Sequence, residues 1–152
     1  MTNVLSGSVA GLIATAPMTA TMAALHRQLP AHERQPLPPR EVTVRTANRL
    51  GAAAATDTEE EKETATWVSH FGYGAGTGAL YGLIGDRFPG PAVARGVLWG
   101  LTVWAVSYLG WLPLTGIRRS ATRQPPRREA VMIAAHIVFG ATTGLVHERL
   151  SR

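Results

Sequence analysis

The sequence predicts an all-α, polytopic membrane protein with four transmembrane helices arranged as a two-hairpin parallel repeat. Three observations carry this reading. Four long stretches have no charged side chain: Met1 to Leu25, Thr64 to Gly85, Gly96 to Ile117 and Ala130 to Val146. The basic residues crowd into alternate connections between those stretches. One helical motif occurs twice at a fixed offset.

The uncharged stretches come first. Charged residues are 16% of the 152-residue chain, so four such runs are not an accident of composition. Each is about as long as the ~17–25 residues that a bilayer-crossing helix needs. A charge at mid-span costs roughly 2.5–3.5 kcal/mol on insertion scales, which explains its exclusion. Spans are expected over 4–25, 66–85, 96–116 and 130–147, in one domain covering 1–152. Trp67 and Trp111 lie at span edges, where amphipathic rings favour the headgroup level, whereas Trp99 and Trp104 lie deeper. The first span lacks the leading Lys or Arg of a secretory signal, so it reads as a retained helix, with Pro17 expected to kink it.

The connections are next. The first, 26–65, holds six basic residues, and the third holds Arg118, Arg119, Arg123, Arg127 and Arg128. Only Arg87, Arg95, Arg149 and Arg152 fall on the other side. The positive-inside rule then puts 26–65 and 118–129 in the cytoplasm and both termini outside, in a bacterial inner membrane. Within 26–65, a Pro-rich segment leads to a short interfacial helix from Arg40 to about Leu50, with Pro39 in its first turn. Glu59, Glu60, Glu61 and Glu63 read as a solvated face ahead of the second span. The five arginines of 118–129 are candidates for anionic lipid headgroups. The net charge of +5 therefore reads as an orientation signal, with lipid as the partner and no nucleic acid.

The repeated motif is His-x-x-aromatic-Gly-Ala-x-Thr-Gly, at His70 to Gly78 and again at His136 to Gly144. Residues four apart share a helix face. His70, Gly74, Gly78 and Gly82 therefore form one stripe, and His136, Gly140 and Gly144 another. Such glycines let a neighbouring helix approach closely. His26 ends the first span on the same side as the two stripe histidines. Three uses of His26, His70 and His136 are open: hydrogen bonds that fix packing, a proton or metal site with Glu33 or Glu41, or bis-His haem ligation by His70 and His136. No bound cofactor is the leading expectation.

Other chemistry is thin. The chain has no Cys, which excludes a disulfide framework and thiolate chemistry. Met18 and Met22 share a face but read as packing. Ser6, Ser8, Ser69 and Ser107 have no evident base and acid beside them. Gly72, Gly74, Gly76 and Gly78 imitate a phosphate loop but follow no strand. No catalytic residues are assigned and no enzyme is expected. The leading expectation is an accessory or assembly subunit, or a homo-oligomer, held through glycine-rich packing. A transporter or channel subunit with a histidine-lined site is the alternative, followed by a haem-binding electron carrier.

The run Gly11 to Thr19, with Leu29-Pro30 and Pro38-Pro39 after it, resembles the bacterial YagU-like inner-membrane proteins, as does His-x-x-aromatic-Gly at His70 and His136. The resemblance implies a small multi-span inner-membrane protein. It brings no activity and no catalytic residues.

Overall fold

The computed structural model describes residues 2–152, and among these the chain is helical with no strand. Five helices matter here: α1 (Asn3–His26), α2 (Pro38–Arg49), α3 (Glu59–Ile84), α4 (Ala92–Leu114) and α5 (Pro126–Ser151). Each uncharged stretch of the sequence lies within or largely within one of α1, α3, α4 and α5.

Local chemistry sets the helix ends. Thr2 caps α1 by accepting a hydrogen bond from the Leu5 amide. Pro38 and Pro39 sit in the first turn of α2, where the missing N–H costs nothing. Thr58 and Glu61 form a reciprocal capping box on α3. The glutamate cluster is thus the start of α3 itself, with Glu59, Glu60 and Glu61 in its first turn, part of one continuous helix with the uncharged stretch. Hydrogen bonds from Lys62 and Arg40 hold the Glu59 carboxyl down to about 2, and the Thr58 backbone amide lowers that of Glu61. Gly51 and Gly116 take positive φ after α2 and α4, as left-handed helix stops require.

Among the described residues, three helices are long and apolar enough to cross a membrane: α1, α4 and α5. The uncharged part of α3 is diluted by glycine and by the polar or amphipathic side chains of His70, Tyr73, Thr77 and Tyr81. Large apolar side chains nevertheless face outward on all four long helices, including Leu12 and Ile13, Val68 and Leu80, Leu98 and Leu109, and Ile137 and Leu145.

The long helices pack in the order α3–α1–α5–α4. Two of the three interfaces are glycine crossings. A Cβ at Gly7 or Gly11 would collide with the backbone of Gly78 or Gly74, and one at Gly82 with Asn3. A Cβ at Gly96 or Gly100 would collide with the backbone of Gly140 or His136, and one at Gly144 with Ala92. Dispersion contacts at such short range hold helices together in lipid, where no hydrophobic drive operates. The two end helices of the row, α3 and α4, form no comparable interface. Aromatic pairs keep them apart: Tyr81 meets Trp99 at 6.1 Å between ring centroids, and Tyr73 meets Trp111 at 6.4 Å.

Two expected headgroup arginines turn inward. Arg118 is 2% exposed and Arg128 is 3% exposed. Arg118 pairs with Glu41 on α2 at 2.9 Å and Glu129 on α5 at 3.5 Å, and lies over the Tyr108 ring. Arg128 donates to the Gln35 side chain and the Pro36 carbonyl. Glu41, Gln35 and Pro36 come from the first connection, which folds back over the end of the bundle. Arg119, Arg123 and Arg127 stay exposed.

Candidate functional site

The space left between α3 and α4 is a cavity of about 310 Å³, at the lower end of the ~300–1,000 Å³ usual for small-molecule sites. It lies toward the end of the bundle that carries the first and third connections. Thr15, Met18 and Met22 contribute from α1, and Ser69, His70, Tyr73 and Thr77 from α3. Ser107, Tyr108 and Trp111 come from α4, and His136 and Phe139 from α5. The lining is mostly apolar and, among the described residues, carries no charged side chain.

Helix α2 covers this cavity. Pro38, Val42, Thr43 and Thr46 on one of its faces add to the lining. Polar contacts pin the helix in place. Thr43 Oγ1 lies 2.6 Å from Ser69 Oγ, Arg45 donates to the Ile117 carbonyl at 2.7 Å, and Arg40 pairs with Glu59. An apolar face alone is too thin to seat this helix, and the ionic contacts supply the rest.

On α4, the backbone passes through a π-helical stretch over Val106–Trp111, where Gly110 departs from helical geometry (φ −104°, ψ −107°). Inserted π turns recur at functional sites because they re-aim neighbouring side chains. Here the stretch contributes Ser107, Tyr108 and Trp111 to the cavity.

His70 and His136 line the same cavity from opposite helices. His136 is 5% exposed, and its Nδ1 lies 2.7 Å from the Met132 carbonyl. His70 Nε2 lies 3.2 Å from Thr19 Oγ1. His26 is not part of this pair. It bonds the Gln35 carbonyl at 2.9 Å, outside the cavity. Glu41 is taken by Arg118 and Arg45, and Glu33 lies beside His32. Among the described residues no three His, Asp or Glu side chains are grouped to hold a metal. His70 and His136 are therefore the two imidazoles available to a ligand here. Met18 and Met22 are buried in the same wall.

One buried pair was not visible in the sequence. Ser6 Oγ lies 3.0 Å from His147 Nδ1 at the far end of the bundle. Ser6 has no exposed surface and also bonds the Asn3 carbonyl. Tyr81 stacks edge-on against His147 at 5.4 Å. The pair ties α1 to α5 and offers no access for a substrate. A separation of 141 residues leaves no local signal for it. The covering role of α2 had a signal in the Pro38-Pro39 start and the mixed Val42, Thr43 and Thr46 face, although the partner face lies elsewhere in the chain.

A family model described as a protein of unknown function, DUF1440, matches residues 23–145. Those residues include the whole cavity lining except Thr15, Met18 and Met22. The match agrees with the YagU-like resemblance. No curated protein and no solved structure matches the chain.

Proposed function

The chain belongs to the DUF1440 family of proteins of unknown function, and from that premise we propose that it is a four-span bacterial inner-membrane protein. It acts as a non-enzymatic binding subunit, and its working site is the cavity lined by His70 and His136. The observation that carries this reading is the covered, apolar cavity into which two imidazoles from different helices face. The outward apolar residues Trp67, Val68, Leu80 and Leu83 support α3 as the fourth span. The buried end of the first and third connections supports a cytoplasmic place for α2, in line with the basic residues there.

The glycine contacts support the parallel repeat. Gly11 faces Gly74 and Gly7 faces Gly78, just as Gly96 faces Gly140 and Ala92 faces Gly144. The two motifs lie 66 residues apart and their partners on α1 and α4 lie 85 apart at both contacts, so the same pairing recurs in register, which favours two equivalent hairpins. The cavity then lies at the junction of the hairpins, where repeat proteins of membranes place their ligands.

The glycine stripes themselves are used within the chain and no longer argue for self-association. Assembly keeps one favourable observation: Gly72 and Gly76 have open space around them on the outer side of α3. Native mass spectrometry from nanodiscs made with whole bacterial lipid tests both readings. The binding reading expects a discrete small-molecule mass on wild type that His136→Ala loses at unchanged folding. Wild type carrying no such species overturns it, and a dimer or a protein partner in that spectrum moves the assignment to assembly. An absorption spectrum with a Soret band would move it to haem carriage by His70 and His136.

A further inference from the structure

The hydrogen-bonding state of the two histidines narrows what the cavity accepts. A carbonyl oxygen only accepts, so the 2.7 Å contact to Met132 puts a proton on His136 Nδ1. No charged side chain among the described residues lines the cavity, and an uncompensated charge in apolar surroundings is costly. The ring is therefore neutral, and Nε2 carries a lone pair with no protein donor among the described residues. His70 takes the opposite tautomer. Thr19 donates its hydroxyl to the Thr15 carbonyl at 2.7 Å. It must accept from His70, whose Nε2 carries the proton and whose Nδ1 carries the lone pair. Thr46 adds a buried hydroxyl with no partner on the covering helix. The cavity thus presents acceptors in an uncharged, apolar room.

The route in is also defined. Between α3 and α4 the closure is made by side chains, with Tyr73 donating to or accepting from Ser107 at 2.9 Å across the seam. Tyr73 is 45% exposed on the outer, apolar face. A molecule dissolved in the bilayer has only this one hydrogen bond and a ring contact to displace. A charged headgroup would find no counter-ion inside.

Resting on the cavity as the working site, we infer that its ligand is an uncharged lipid with a hydroxyl group. The lipid passes from the bilayer between α3 and α4 and donates a hydrogen bond to His136 Nε2. A diacylglycerol and an isoprenoid quinol share this chemistry, and the experiment separates them.

Binding is measured by tryptophan fluorescence, since Trp111 lines the cavity, in nanodiscs of zwitterionic lipid. The probes are 1,2-dioctanoylglycerol with its 3-O-methyl ether, decylubiquinol with decylubiquinone, and octanoate. One hydroxyl probe should bind saturably, with its donor-free partner about tenfold or more weaker, as loss of one buried hydrogen bond requires. Which probe binds identifies the source. His136→Phe should erase that preference and His136→Gln, which keeps an acceptor, should retain part of it. If neither histidine variant folds, Thr46→Val and the donor-free probes on wild type still decide. Equal binding of ether and alcohol, tighter binding of octanoate, or binding of no probe overturns the inference. A polar species on the native protein, with no alcohol bound, overturns this inference and leaves the site reading standing. Selective alcohol binding without any resident species does the reverse.

Discussion

Arg118 and Glu41 meet at 2.9 Å although 77 residues separate them in the chain. The contact joins the connection before α5 to the helix that covers the cavity. Glu129 approaches the same guanidinium at 3.5 Å, so one arginine serves two carboxylates from two elements.

Arg118→Met should therefore leave Glu129 without its ion-pair partner and Glu41 with Arg45 alone. Breaking a buried ion pair on one side costs about 3–5 kcal/mol. The variant should melt earlier and lose protection from protease within 26–65. Adding Glu41→Gln and Glu129→Gln should recover part of the loss. A single variant with wild-type melting and protease resistance would refute the role given to Arg118.

The glycine crossings make a sharper contrast. Gly140→Ala places a methyl against the Gly96 backbone, which cannot yield as a flexible side chain would. Overpacking of this kind costs about 1–3 kcal/mol. Gly72→Ala meets open space and should be neutral or gain about 0.5–1 kcal/mol from helix propensity. Thermal melts of the two variants in one detergent test the pair, and equal melting temperatures would contradict the crossing.

Acid should loosen α2 first at its Arg40 end. The Glu59 carboxyl is held down to about 2 from an ordinary 4.5, by Lys62 and then Arg40. A depressed carboxyl contributes stability that is full above its unfolded value and disappears as pH falls through its folded one. Amide exchange near Arg40 should rise between pH 4.5 and about 2, and Glu59→Gln should show that faster exchange already at neutral pH. Glu59 is exposed, so the global melting temperature should move little.

The absence of native cysteine permits a clean staple. Thr43 and Ser69 hydroxyls lie 2.6 Å apart between α2 and α3, so cysteine sulfurs in their places would start near the ~2.05 Å of a disulfide bond. The pair Thr43→Cys with Ser69→Cys should oxidise without help from other residues and slow exchange of α2 amides, and reductant should restore them. Failure to oxidise in the folded protein would place α2 elsewhere.

What the sequence made legible was the part governed by local periodicity. Four uncharged runs lie in four long helices, and glycines four apart line up on single faces. What it hid depends on partners far away in the chain. Arg118 and Arg128 look like any loop arginine until the first connection folds over them. Ser6 and His147 are too distant to suggest each other. The π turn at Val106–Trp111 has no local cue beyond Gly110. The capping box was a different case: Thr58-x-x-Glu61 is a readable start signal, but the neighbouring glutamates invited a reading as loose charge. The tautomers of His70 and His136 needed Thr19 and Met132 in space before they could be assigned.

The place of α1 in the row has a consequence for how the protein is made. It leaves the ribosome before both of its neighbours, α3 and α5, which follow it in the chain. Gly7 and Gly11 wait for α3, while Ser6 waits for His147, 141 residues further along the chain. At about 5–20 residues per second, α1 must spend several seconds in the membrane with one flank bare. A chain that stops before α5 leaves that flank of α1 without its partner in the bilayer.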